Sequence, residues 1–467
     1  MPVAALSLDF PVAADFIAAM AGSLGLGAGI GRLRFETKGA LPSAFAVTDF
    51  AAAAVGAAGL ATSELVAALF EERPAVTVDR RLASGWFGVS IRPQGWALKP
   101  PWDPIAGDYA ASDGWIRLHT NAPHHRAAAL AVLGVAGDKR AVEAAVRTWP
   151  ANDLEAAIVE RGGCAAAMRS LADWRRHQQG RAVADEPVVL IERRQSAGMR
   201  RWAATRGHPL KGLRVLDCTR VLAGPVATRF LAGLGADVLR IDPPDWDEPA
   251  LVPDVTLGKR CARLDLKTPE GRALFADLLR SADVFVHGLR PGALDALGFG
   301  ADERAKLRPG LVDVSLAAYG WGGPWAGRRG FDSLVQMSAG VAEAGMRAFA
   351  TDGPKPLPVQ ALDHAAGYVL AASALRGLAL RLADGRGFHA RTSLARMAML
   401  LLATQPEGAA EPLAPFSEAD LAPGVERTAW GLARRLKPPV EVEGAPLRWE
   451  LPASPLGSSK LAWSVPE

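Results

Sequence analysis

Between residues 213 and 244 the chain runs strand, turn, helix, strand, and that order admits few folds. Residues 213–217 (LRVLD) form a short apolar run of strand type. Residues 219–225 (TRVLAGP) form a turn, and a helical stretch from about Val226 to Leu234 stops at Gly235. Residues 236–241 (ADVLRI) make a second apolar strand, closed by Asp242, Pro243 and Pro244. Two apolar strands joined through a helix lie parallel, with a right-handed crossover. The rhythm continues. Thr268 opens a helix with Pro269 in its first turn and an end near Arg280, and strands follow at 284–287 (VFVH) and 311–316 (LVDVSL). Alternating β and α units predict an open α/β sheet. The first turn faces a helix N-terminus, which offers free N–H groups to phosphate. It lacks G-x-G-x-x-G, so a dinucleotide-dependent dehydrogenase fits poorly.

Asp363 precedes a long small-residue helix, predicted from His364 to about Leu382 and ended by Gly385 and Gly387. The stretch 47–86 aligns with 361–400 without a gap, so that Asp49 stands 314 positions before Asp363. Self-similarity at a fixed offset predicts a partial internal repeat. The rest of the first block reads as α+β, with a strand at 114–119 and helices at 126–133, 141–149, 154–160 and 165–176. The expected fold class is α/β, an open Rossmann-like parallel sheet domain plus a smaller α+β domain. The expected divisions are 1–195, a partial first copy; 196–209, a polar linker; 210–404, the Rossmann-like domain; and 405–467, an irregular C-terminal tail.

With 49% apolar and 22% charged residues, the chain suits a soluble protein with large cores. A net charge of +4 fits an anionic small ligand and is too weak to argue for nucleic acid. Arg193, Arg194, Arg200 and Arg201 read as a solvated hinge. Cys164, Cys218 and Cys261 are far apart, odd in number and without paired spacing. They predict neither disulfides nor a metal site, and read as small buried hydrophobes. No basic region precedes the first apolar stretch, and no uncharged apolar run reaches the roughly 18 residues of a membrane span. No membrane partner and a cytoplasmic location are expected.

A series of segments carries a more specific resemblance: 214–225 (RVLDCTRVLAGP), 234–244 (LGADVLRIDPP), 258–271 (GKRCARLDLKTPEG), 282–299 (ADVFVHGLRPGALDALGF), 319–324 (YGWGGP), 330–340 (GFDSLVQMSAG), 352–354 (DGP) and 363–367 (DHAAG). Together, in this order and spacing, they resemble the class III CoA-transferases, the superfamily of formyl-CoA transferase, carnitine CoA-transferase and alpha-methylacyl-CoA racemase. Residues 48–190 resemble the later part of the same fold, so the chain looks like two copies, each missing a different portion. The family forms interlocked dimers. The resemblance therefore leaves a homodimer and a pseudo-dimeric monomer both open.

The resemblance implies an acyl-CoA:carboxylate CoA-transferase. Its substrates would be an acyl-CoA and a carboxylic acid, with coenzyme A carried as the thioester and no metal. Asp363 would be the nucleophile, attacking the thioester and passing through an aspartyl-CoA intermediate. Its alternative role is to cap the helix. Asp332 would orient Asp363 or raise its pKa by like-charge proximity. The backbone of Val221, Leu222, Ala223 and Gly224, with Leu289, would lie along the pantetheine arm. Lys259, Arg260, Arg290 and Arg329 would meet the phosphates. Phe331 and His364 would touch the acyl group, and Trp321 and Trp325 would join them or pack the core. Phe331 stands where the racemase branch has a histidine proton carrier, which disfavours α-proton abstraction. Gly288-Leu289 replaces the usual Asn-Phe, Leu222 stands for a Gln, and residues 90–95 (SIRPQG) replace a glycine-rich lid, which argues against formate or oxalate. Two alternatives remain: a catalytically silent CoA-binding or assembly relative, and a CoA-ester isomerase or racemase.

Overall fold

The computed structural model describes residues 9–198, 201–404 and 411–464. Met199 and Arg200 of the expected linker and hinge, and Gln405 at the start of the tail, lie outside them.

Six parallel strands form the frame: β1 (Arg214–Cys218), β2 (Asp237–Asp242), β3 (Lys259–Arg263), β4 (Val284–His287), β5 (Val312–Ala317) and β6 (Arg386–Ser393). Their order is 3-2-1-4-5-6, the doubly wound arrangement expected of alternating β and α units. The strands are buried almost throughout, as a sheet covered on both faces requires. A seventh strand, Leu190–Ser196, pairs antiparallel with β6. It arrives from the first block, whose return segment therefore completes the second block's sheet.

The turn helix spans Ala223–Gly233, three residues earlier than the sequence pattern suggests. Pro225 sits in its first turn, where its missing N–H costs no helical hydrogen bond. The second long helix spans Ala361–Asp384, ended by left-handed Gly385. The first long helix, Val47–Phe70, packs along it. Both are apolar over most of their length because protein encloses them. One core runs through Phe16 and Phe50 of the first block and Val312 and Tyr368 of the second. Each large apolar side chain sealed there contributes about 1.5–3 kcal/mol.

The smaller α+β domain is a three-stranded antiparallel sheet, Gly107–Ala110, Trp115–Leu118 and Ala165–Ala167, under helices Pro123–Leu133, Lys139–Val146 and Ala151–Glu160. Residues 165–167 correct the helix expected over 165–176. Three alanines favour helix locally, but here they pair with Trp115–Leu118, and the helix begins only at Leu171, behind a Ser170–Asp173 capping box. The tail is less irregular than expected. It supplies strands Glu426–Thr428, Gly431–Arg435 and Val440–Val442, the last two paired with first-block strands Ile91–Pro93 and Val76–Asp79. The three cysteines are free and buried.

Candidate active site

In a doubly wound sheet the chain leaves β1 and β4 in opposite directions, and a crevice opens at their carboxyl ends. Here the crevice is a cleft of about 320 Å³, lined by Thr219 to Val221 after β1 and Gly288 to Arg290 after β4.

The first turn is held from below. Asp217, at the end of β1 and fully buried, accepts hydrogen bonds from the Thr219 N–H (2.9 Å), the Thr219 and Thr228 hydroxyls (2.5 Å each) and the Lys259 ammonium (3.1 Å). Burial opposes its charge, but Lys259 and Arg240 outweigh burial and keep the carboxyl below its usual range. Lys259 also donates to the Pro225 carbonyl at 2.9 Å. The turn then passes through Val221 at φ +66°, a left-handed conformation rare for a β-branched residue. The Glu248 carboxylate fastens it, accepting the Val221 N–H at 2.8 Å. Backbone strain of this kind persists only where its surroundings over-determine it, and it clusters at functional sites. At Gly224 a Cβ would lie 2.2 Å from Thr219, so only glycine lets the turn fold this tightly.

The second long helix crosses this turn at Gly367, where a Cβ would come within 2.5 Å of the Ala223 carbonyl oxygen. One helical turn earlier, Asp363 opens onto the cleft with 7% of its surface exposed. Its side chain does not cap the helix. That service falls to Asp332, fully buried, whose Oδ2 accepts the Asp363 N–H at 2.9 Å and whose carboxylate also takes the Leu362 N–H. Gln336 donates to Asp332 at 2.5 Å and accepts the Leu357 N–H at 2.8 Å. Burial pushes Asp332 up to about 6 against these hydrogen bonds. Burial, then the Asp332 charge, raises Asp363 well above the usual carboxylate range.

Of the residues predicted from sequence, Val221, Ala223, Gly224, Leu289, Arg290, Arg329, Phe331 and Asp363 line this one cleft. The others lie elsewhere. Leu222 is buried and is not among the lining residues. Lys259 is sealed between Asp217 and Pro225, so its ammonium braces the turn and reaches no phosphate. Arg260 pairs with Asp237 at 2.6 Å. Asp332 sits beneath the helix end as its cap. His364 is turned away, stacked on Phe87 of the first block at 5.2 Å. Trp321 donates to the Thr392 carbonyl, and Trp325 packs on Tyr319 and Trp174. Residues 90–95 are no lid: Ser90 is buried on Asp254, and Ile91–Pro93 is a sheet strand.

Sequence reasoning missed Arg220, Trp246, His124 and His125 in the cleft wall. Arg220 lies within the turn motif, over the Trp246 ring at 4.7 Å. Arg220, Arg290 and Arg329 form no ion pair among the described residues, which leaves three guanidiniums facing the cleft with charge to share. His124 and His125 come from the first block, at the start of helix Pro123–Leu133. His125 stands edge-on to Phe331 at 5.8 Å, and His119 stacks flat on the phenyl ring at 3.7 Å. Burial, then His124 and Arg329, pushes His125 down to about 4, so its imidazole is neutral at pH 7. The adjacent His-His pair after Pro123 was the available signal.

Residues 210–419, the stretch that carries most of the motifs, match the model of CoA-transferase family III. The chain is 32% identical to a probable fatty acyl-CoA transferase of Mycobacterium tuberculosis over 42% of this chain and 53% of that protein. It is also 32% identical to the succinyl-CoA:glutarate CoA-transferase of Mus musculus, over 38% of this chain and 48% of that one. The chain thus spans about half the length of these relatives. Among solved structures, a hypothetical protein from M. tuberculosis matches at TM-score 0.38 and 32% identity, over 42% of this chain and 57% of that one. A CAIB/BAIF family protein from Brucella suis matches at TM-score 0.37 and 26% identity, over 48% and 65%.

Proposed function

We propose that the protein transfers coenzyme A between an acyl-CoA thioester and a carboxylic acid, with Asp363 as nucleophile. One observation carries this reading: among the residues predicted from sequence, Asp363 is the carboxylate that opens into the cleft, at the crevice where this fold receives ligands. The Asp363 carboxylate attacks the thioester carbonyl, and the C–S bond breaks to give an acyl-aspartyl anhydride and CoA thiolate. The thiolate attacks the aspartyl carbonyl, expelling the product acid and leaving an aspartyl-CoA thioester. The acceptor carboxylate reverses both steps and regenerates Asp363. Helix N-terminal dipoles favour the developing oxyanions, and Arg220, Arg290 and Arg329 provide charge for the CoA phosphates. Family kinship of residues 210–419 and the names of the relatives support transfer of CoA as the reaction type.

The test is trapping. Incubation with a panel of acyl-CoAs, then borohydride or hydroxylamine, is expected to mark Asp363 by mass spectrometry, with no mark in Asp363→Asn. Equal behaviour of wild type and variant across the panel would leave a CoA-binding relative without chemistry. A second reading, α-proton exchange by a CoA-ester isomerase, is favoured by His125, a neutral imidazole beside Phe331. Deuterium uptake at the acyl α-carbon in deuterium oxide, lost in His125→Ala, would select it.

A further inference from the structure

We infer that a single chain is two half-copies of one unit that complete each other by exchanging strands, and that the second nucleophile position, Asp49, has been closed by Arg80. The first line of support is conformational. At the offset of 314 residues, helices Val47–Phe70 and Ala361–Asp384 have the same length. Each is entered by the same tight turn, with the Val47 N–H donating to the Phe45 carbonyl and the Ala361 N–H to the Val359 carbonyl, both at 2.8 Å. Each ends on a left-handed residue, Glu71 (φ 63°) and Gly385 (φ 69°). Glutamate takes that conformation at a cost glycine does not bear, so the match follows the fold and not the residue type. Each helix leads to a strand whose last residue caps the next helix. Asp79 accepts the Leu82 N–H, and Ser393, at the same offset, accepts the Arg396 N–H. Shared alanine content reproduces none of these details.

The second line is topological. Strand Val76–Asp79 has a parallel neighbour, Leu33–Glu36, on one side and an antiparallel one, Val440–Val442, on the other. Strand β6 likewise has β5 parallel and Leu190–Ser196 antiparallel. In each case the antiparallel strand comes from the half that carries the other long helix, well beyond that helix in the chain. The exchange is reciprocal, as between two interlocked subunits, but it closes within one polypeptide.

The halves differ at the carboxylate. Asp49 is gripped by Arg80 through Nε (3.0 Å) and Nη2 (2.6 Å), and Arg80 also donates to the Thr37 and Gly39 carbonyls. Arg80 is 5% exposed. The corresponding residue beside Asp363 is Leu394, which lines the cleft. Asp49 is thus paired and held, whereas Asp363 is left for substrate.

The test uses the full chain with Val78→Cys and Val440→Cys, which face each other across the exchanged strands. Mild oxidation is expected to give an internally cross-linked single chain, at a yield independent of protein concentration. Light scattering is expected to give the mass of one chain, 49.1 kDa. A covalent two-chain product would overturn the inference, because the strands would then be exchanged between molecules. Should that variant not fold, Val76→Cys with Val442→Cys offers the second opposed pair. The closure of Asp49 rests on the transferase reading and is tested by trapping. One adduct per chain, at Asp363 and retained in Asp49→Asn, is expected, and an adduct on Asp49 would refute it. If no adduct forms anywhere, the transferase reading fails while the cross-linking result still decides the exchange.

Discussion

Two carboxylates divide the work at the head of the second long helix. Asp332 takes the helix N–H groups, and this frees Asp363 from capping and leaves it facing the cleft. Because burial and Asp332 raise Asp363, its ionised form, the nucleophile of the proposed reaction, is populated only above the ordinary carboxylate range. The rate of adduct formation is therefore expected to rise with pH through an acid limb above pH 4, and Asp332→Asn should shift that limb downward. Stopped acylation with mass detection at a series of pH values measures it. The same shift has a stability consequence. A carboxyl whose folded pKa is raised stabilises the native state below its unfolded pKa of about 3.8 and loses that contribution as pH rises through the folded value. Asp363→Asn is accordingly expected to raise Tm at pH 7–8 by about 2 °C or more, with the difference vanishing below pH 4, while adduct formation falls by on the order of 10³-fold or more. Calorimetry across pH distinguishes this from a merely disruptive substitution, which would lower Tm at every pH.

The turn after β1 and the helix that crosses it act as one element pair, and their tolerances are tight. A methyl group at Gly367 meets the Ala223 carbonyl oxygen at 2.5 Å. Gly367→Ala should push helix from turn and cut adduct formation by roughly 10²-fold, since small misplacements cost that much, with helical circular dichroism retained. Lys259 offers a converse prediction. Lys259→Met leaves Asp217 buried without its cation, so about 3–5 kcal/mol of stability should be lost in denaturant titration; a phosphate ligand would instead raise the KM for acyl-CoA at unchanged stability. These elements also mark what the sequence made legible. The strands around 213–244 and the helix after Asp363 could be read because their apolar patterns and stop signals are local. Lys259 could not be placed, since its partner Asp217 lies 42 residues away and a lysine at a strand start reads equally well as surface. Residues 165–167 deceived for the same reason: three alanines prefer a helix until Trp115–Leu118 offers them a sheet edge. His124 and His125 stand out as an adjacent pair, but nothing local tells that they line this cleft, because the packing of the first block on the second brings them there.

At the scale of the whole molecule, one buried charge touches the first block, the turn helix and the tail at once. The Asp254 carboxylate accepts from Ser90 of the first block (2.5 Å), Arg229 of the turn helix (2.9 Å) and Arg435 of the tail (3.0 Å). All four residues are buried. Trp86 of the first block covers the Arg229 guanidinium at 4.6 Å and stacks on Trp449 of the tail at 5.5 Å. Burial opposes the charge on Asp254, but Arg229 and Arg435 outweigh it and hold the carboxyl at about 2. A depressed pKa stabilises the fold above the unfolded value of about 3.8, and that contribution is lost as pH falls toward 2. Neutralising the group leaves two guanidiniums buried without their common partner, a loss of about 3–5 kcal/mol. Because the network spans three separate stretches of chain, that loss falls on their mutual attachment and not on any one of their cores. Wild type is expected to melt in a single transition at pH 7, whereas Asp254→Asn should melt earlier and in two steps, the first-block stretch around Ser90 and the tail separating from the parallel sheet. Calorimetry at pH 7 measures this, and one sharp transition in the variant would show that the apolar core shared by the two long helices, and not this charge, holds the molecule together.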